Sequence, residues 1–232
     1  MKKFFLFFCF FILLQNPCKS WAQVTIFNVP SADVTKKDKN FIQHESQFRT
    51  KKPKQFINVT SYFAHGIGYN TEIDVTQFNL SSPASKNATI AAGFKTVMPL
   101  QIEDLKTYQP KIILGAMLPF SLQGQGIGSW FYASNSFVLP QTNSRFTAGI
   151  SFGSKQIFGK NATSFIGGFE QKITEKISFI NDWYSGNNSL GIFASGFSYS
   201  FPKDLTIFAG YQIPNSKQIG RNSIVIEIAK NF

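Results

Sequence analysis

The stretch NSIVIEIAKNF, residues 222–232, decides the fold expected for this chain. Ile224, Ile226 and Ile228 alternate with serine, valine and glutamate, which is the period-two pattern of a strand with one apolar face. The stretch ends on an aromatic residue, Phe232. We therefore expect a final strand with an apolar face, and the segments before it decide what that face contacts.

Residues 1–22 have the features of a secretory signal peptide. Lys2 and Lys3 precede an apolar run that is too short to cross a bilayer as a helix, and small residues then occupy positions −3 and −1 before Gln23. We expect export and cleavage before Gln23. An exported chain whose last strand ends on an aromatic residue predicts a β-barrel in the outer membrane of a Gram-negative cell.

Cysteine usage and charge exclude several classes of function. Cys9 and Cys18 both lie in the leader, so the mature chain should contain no disulfide, no thiolate metal site and no cysteine nucleophile. Removing the leader, with its three lysines and no acid, lowers the net charge from +11 to +8. A basic chain can bind nucleic acid, but export argues against such a partner. Basic loops facing anionic outer-membrane lipids and lipopolysaccharide explain the charge better.

Twelve segments of alternating pattern follow an irregular lead-in at residues 23–39. Large apolar residues lie on one face of each segment and small or polar residues on the other, as in a barrel with lipid outside and a polar lumen inside. Segments of this length suit tilted membrane-crossing strands. The predicted strands are about 40–50, 56–69, 72–80, 88–99, 110–120, 128–139, 145–155, 161–171, 175–184, 189–201, 204–213 and the closing stretch.

These segments predict an all-β fold, a transmembrane antiparallel up-and-down β-barrel over residues 40–232 with about twelve strands. Ten or fourteen strands remain alternatives, because the third and sixth segments have the weakest patterns. We expect residues 23–39 to lie on the periplasmic side or to enter the barrel mouth. We also expect the C-terminal strand to contact the barrel-assembly machinery.

Two stretches in the C-terminal part carry a resemblance to a known family. NDWYSGNNSLG at residues 181–191 and AGYQIPNS at residues 209–216 resemble outer-membrane barrels of the phenol-degradation meta-pathway family. The resemblance implies a porin-like channel for small solutes, hydrophobic or aromatic ones among them.

The predicted inner wall carries charges of both signs. In an open pore they would set a transverse field and an ion preference, whereas in a narrow barrel they would pair and fill the lumen. Asp182 either contacts solute or pairs with a base such as Lys155. Inward glycines, including Gly168 and Gly210, indicate free space. The lumen-lining candidates are Glu45, Arg49, Lys95, Arg145, Lys155, Glu170, Asp182 and Glu227.

One pair of residues could suggest catalysis. His44 and Ser46 share the outward face of the first strand, and nucleophilic catalysis would need a third group to hold the imidazole. The same face of the next strand offers no carboxylate or amide. His65, the only other histidine, has no nearby acid pair for a metal site. We therefore expect no enzyme activity, no metal and no cofactor.

The sequence favours a passive channel or uptake route for small solutes in the outer membrane. The alternative is a barrel without transport that presents its extracellular loops to partners.

Overall fold

The computed structural model of the chain describes residues 25–51, 55–83, 88–159 and 163–232. The leader predicted at residues 1–22 lies outside these residues. No helix among them is long and apolar enough to cross a membrane.

Twelve antiparallel strands form one closed barrel, in which each strand pairs with its neighbours in sequence and β1 pairs with β12. The predicted fold is therefore confirmed, and each predicted strand overlaps an observed one. The strands are β1 Asn40–Arg49, β2 Phe56–Gly68, β3 Thr71–Ser82, β4 Thr89–Pro99, β5 Lys111–Ser121, β6 Trp130–Leu139, β7 Ser144–Gly153, β8 Thr163–Lys172, β9 Ile177–Tyr184, β10 Ile192–Phe201, β11 Leu205–Pro214 and β12 Ser223–Asn231.

The connections differ between the two ends of the barrel. At the end where the chain enters β1 and leaves β12, here called the terminal end, most turns are short. Tyr69 and Asn70 alone join β2 to β3, both with positive φ, as a two-residue hairpin turn requires. The exception is the β4–β5 connection, which contains the 3₁₀ helix Glu103–Tyr108. The opposite end, the loop end, carries longer connections, one with the helical turn Lys155–Phe158.

The seam between β1 and β12 follows the alternation of the sequence. Glu45 lies directly opposite Glu227 on the inside, and Ser46 lies opposite Ile226 on the outside. At the terminal end, the backbone of Asn40 exchanges two hydrogen bonds with the backbone of Phe232, at 2.8 and 3.0 Å. The last strand therefore closes the wall, with its isoleucines exposed on the outer face.

Large apolar side chains cover the outer face of the barrel and are exposed along nearly every strand. In a water-soluble barrel they would be buried, so this face suits contact with lipid. A ladder of phenylalanines crosses five neighbouring strands on the outer face, with neighbouring ring centroids 5.1–6.4 Å apart: Phe137, Phe146, Phe169, Phe179 and Phe197.

The segment before β1 lies inside the barrel. We call residues 25–39 the plug. Ile26, Phe27 and Val29 are almost fully buried there, and among the described residues the segment forms one isolated bridge with the wall, Lys37 to Gly66, rather than a strand of the sheet. The expectation that inward glycines leave free space is wrong at several positions, of which two face side chains of the plug. A Cβ on Gly168 would lie 2.2 Å from Ile26, and one on Gly210 would lie 2.6 Å from Phe27. These glycines leave room for plug side chains.

Candidate functional site

The tip of the plug is bound by one carboxylate of the wall. The backbone N–H groups of Phe27 and Val29 donate to Asp182 Oδ2 at 2.8 and 2.7 Å, and the N–H of Asn28 donates to the same oxygen. Asn28 Nδ2 donates to Asp182 Oδ1 at 3.2 Å. Three successive N–H groups around one anion form a concave anion site. Asp182 therefore fixes the height and orientation of the tip.

An ion-pair network holds the middle of the plug. The guanidinium of Arg145 donates from Nη1 to Asp33 Oδ2 of the plug at 2.7 Å and from Nη2 to Glu170 Oε2 at 3.1 Å. Burial alone would raise the pKa of Asp33, but Arg145, with Lys111 and Lys95 further away, holds that pKa below its ordinary value. Arg145 thus links the plug to two wall strands.

A second buried pair lies at the point where the plug approaches β3 and β4. Lys95 Nζ is 3.1 Å from Glu72 Oε1, and both side chains are almost fully buried. Lys95 also donates to the backbone carbonyl of Asp33 at 2.6 Å, while Thr35 N–H donates to Glu72 Oε2 at 2.7 Å. Each member of the pair therefore binds the wall and the plug together.

Two cavities lie on opposite sides of the plug. The outer vestibule opens toward the loop end, has a volume of about 510 Å³, and has the plug residues Phe27, Asn28 and Pro30 on its inner side. The inner vestibule faces the terminal end, has a volume of about 430 Å³, and is lined by polar residues together with Ala32 and Asp33. The outer vestibule is bordered by many aromatic and apolar side chains: Phe56, Tyr62, Phe78, Met117, Trp130, Tyr132, Phe158, Tyr184 and Leu190.

The structure places seven of the eight predicted lumen-lining residues on the inward-facing side of their strands. Glu45 and Glu227 lie opposite each other and are held by Gln47 and Gln43, at 2.7 Å each. Arg49, at the loop end of β1, donates to the carbonyl of Asn222 at 3.3 Å. The others, Lys95, Arg145, Glu170 and Asp182, bind the plug or a residue that binds it.

Lys155 is the exception, and the prediction for it is wrong. Strand β7 ends at Gly153, and Lys155 begins a short helical turn with its side chain exposed. Of the two alternatives for Asp182, pairing with Lys155 is not what the structure shows, because the buried Asp182 carboxylate accepts hydrogen bonds from the plug backbone. Alternation along a strand could not show that β7 stops two residues earlier.

Sequence reasoning missed three acidic residues of the lumen. Glu72 and Asp74 are inward and buried on β3, where they alternate with the exposed Ile73 and Val75. The period-two alternation of this strand could therefore have identified both acids as lumen residues. Asp33 carries no comparable signal, because it lies in an irregular segment whose position depends on the closed barrel.

The two histidines lie on the outer face and have no acidic partner among the residues that the structure describes. His44 Nδ1 is 3.0 Å from the Ser61 hydroxyl, and His44 Nε2 is 3.5 Å from that of Ser46. His65 Nδ1 is 2.9 Å from Asn40 Oδ1. Within the described part of the chain, no group of three or more His, Cys, Asp or Glu residues could hold a metal ion.

The fold and the lumen together define a closed barrel of twelve antiparallel strands with a plug inside it. No protein-family model matches the chain, and no curated protein matches it, so the resemblance to the phenol-degradation family is not confirmed.

Solved structures share its fold. NanC porin is 10% identical with a TM-score of 0.57, covering 81% of this chain and 97% of that one. KdgM porin is 8% identical with a TM-score of 0.55, covering 84% and 99%. Omp33 of Acinetobacter baumannii is 10% identical with a TM-score of 0.50, covering 86% and 100%. Identities this low show a common fold and no more.

Proposed function

We propose that this protein is a channel of the bacterial outer membrane that admits small solutes, with the plug as its constriction. The observation that carries the proposal is a closed wall that is apolar outside and polar inside, with a vestibule on each side of the plug. Lipid would contact the outer face, and lipopolysaccharide would face the loop end. The terminal end would face the periplasm, where the closing strand would first meet the assembly machinery.

The attachment of the plug supports a constriction that can move. The plug contacts the wall through side chains, backbone N–H groups and the isolated bridge of Lys37 to Gly66. Release of the plug would therefore leave every strand pair of the barrel intact. Aromatic side chains in the outer vestibule favour small solutes with apolar or aromatic parts, as the sequence resemblance also implies.

Conductance of refolded protein in a planar bilayer tests this function. We expect small or infrequent openings from the unaltered mature chain. Removal of residues 25–34, or Asp182→Ala, should give larger or more frequent openings, because either change weakens the constriction. A barrel that stays closed in all three forms would contradict the channel.

The plug also supports a second candidate function, that of a barrel without transport that presents loops to partners. Its lumen would stay closed because the plug is bound through several buried charged groups. The second candidate predicts that Asp182→Ala produces no openings, and that loop-end substitutions abolish partner binding while barrel folding is retained.

A further inference from the structure

Two carboxylates border the outer vestibule: Glu45 accepts a hydrogen bond from Gln47, whereas Asp74 takes part in no ion pair of the described residues. Asp74 is 5% exposed and borders this cavity, and its Oδ1 atom has no hydrogen-bond partner in the described residues. The four ion pairs seen in the described residues do not include it. Thr76 follows two positions later on the same face, 2% exposed, and its hydroxyl oxygen is also unpartnered. The wall therefore offers two neighbouring acceptors without a donor.

The nearest wall cation already has partners. Lys95 pairs with Glu72 at 3.1 Å and donates to the Asp33 carbonyl at 2.6 Å. The other basic residue bordering the cavity, Arg221, lies in the β11–β12 connection, and its Nη1 donates to the Gly220 carbonyl. Because a buried carboxylate without a partner is costly, a donor supplied by a ligand would relieve that cost.

Aromatic rings lie on the same wall of the outer vestibule, three strands away from this carboxylate. Strand register aligns Asp74 with Gly93, Gly93 with Met117, and Met117 with Trp130 across four neighbouring strands. The Trp130 ring lies 4.9 Å from that of Tyr132, centroid to centroid. Electron-rich ring faces attract organic cations, most strongly where water is excluded.

We propose that the outer vestibule binds a small organic cation, with an ammonium or guanidinium group on Asp74 and Thr76 and an apolar body among the Trp130 and Tyr132 rings. The cavity volume of about 510 Å³ lies within the roughly 300–1,000 Å³ typical of small-molecule sites. This assignment specifies the class of solute for the proposed channel. It rests on the proposed function, because the channel is the route by which the ligand would enter.

Tryptophan fluorescence of the refolded mature chain in detergent tests the assignment. Trp183→Phe removes the other tryptophan of the described residues, which faces outward, so that Trp130 reports on the vestibule. The probes are 2-phenylethylammonium, the neutral 2-phenylethanol and the anionic 3-phenylpropionate, which share a phenyl body. We expect the cation to bind about tenfold or more tighter than the neutral and anionic probes.

Asp74→Asn should remove this preference, lowering cation affinity about tenfold or more, because only the charge is lost. The matched control is Asp104→Asn, the same change on the exposed 3₁₀ helix, which should leave affinity unaltered. Equal binding of the alcohol and the ammonium to the unaltered chain would overturn the assignment, even if the Asp74 variant failed to fold. Unchanged cation affinity in a folded Asp74 variant would also overturn it.

The two proposals fail separately. The fluorescence experiment needs no membrane and no conductance, so a barrel that never conducts can still show the cation preference. Conductance without that preference would overturn the cation site and leave the channel standing.

Discussion

The side chain of Asp182 binds three successive backbone N–H groups of the plug tip. Alternation along the NDWYSG stretch predicted that Asp182 faces inward, but it did not predict its hydrogen-bond partners. Backbone N–H groups have no signature in the sequence, and every residue except proline carries one. Residues 27–29 became donors because the turn at the plug tip aims three of these groups at one point. At this scale, the sequence predicts which face a residue is on and leaves its contacts to the closed barrel.

The substitution Asp182→Asn tests the contribution of that charge. The amide keeps the size and one acceptor oxygen, but it loses the charge-assisted bonds, so we expect the free energy of unfolding to fall by about 2–4 kcal/mol. Urea unfolding in detergent, followed by Trp130 fluorescence, measures the change. Asp104→Asn is the control and should stay within about 0.5 kcal/mol of the unaltered chain. Equal stability of the two variants would show that the carboxylate does not hold the tip.

The plug and the strands differ in how much the sequence reveals of each element. Strands such as β7 and β11 repeat an apolar residue at nearly every second position, so their limits lie within a few residues of those predicted. The plug has no period, and its apolar residues Ile26, Phe27 and Val29 are too few to define an element. Its place was expected only as the barrel mouth or periplasmic side, whereas it lies across the lumen.

Two neighbouring glycines of β8 provide a matched test of plug docking. A side chain on Gly168 would meet Ile26, whereas a Cβ on Gly167, which faces outward, would meet nothing within 4 Å. Gly168→Val should displace the plug tip and make the 25–39 segment sensitive to added protease, while Gly167→Val should not. Protease digestion of refolded protein followed by mass spectrometry reads the result. Equal protection in both variants would argue against packing of Ile26 on Gly168.

At the scale of the whole molecule, the barrel could be predicted from the sequence because contact with lipid restricts which residues can face outward. Most outward positions must be apolar and the strands must close, so period two and an even strand count are enough to predict the wall. The lumen obeys no such rule. Charged groups there could line an open pore or bind a plug, and the sequence left both open. The structure shows that Glu72, Lys95, Arg145 and Asp182 bind the plug.

A charge on the outer face tests whether that face contacts lipid. Phe197 lies near the middle of β10 and is 52% exposed, whereas Phe193 lies close to the loop end of the same strand. We expect Phe197→Lys to destabilise the folded barrel in bilayers by about 2–4 kcal/mol and Phe193→Lys by about 1 kcal/mol or less. Refolding into liposomes with urea titration measures both. Equal small effects would contradict a membrane-spanning wall.

The position of Thr25 also bears on the order of events during biogenesis. Its side chain exchanges hydrogen bonds with Gln43 inside the lumen, at 2.9 and 3.1 Å, so Thr25 itself lies within the closed wall. If the leader expected at residues 1–22 remained attached, the barrel would have to close around a segment still joined to the export machinery. Proteolytic processing should therefore precede docking of residues 25–39. An export intermediate that kept its leader would accumulate with this segment undocked.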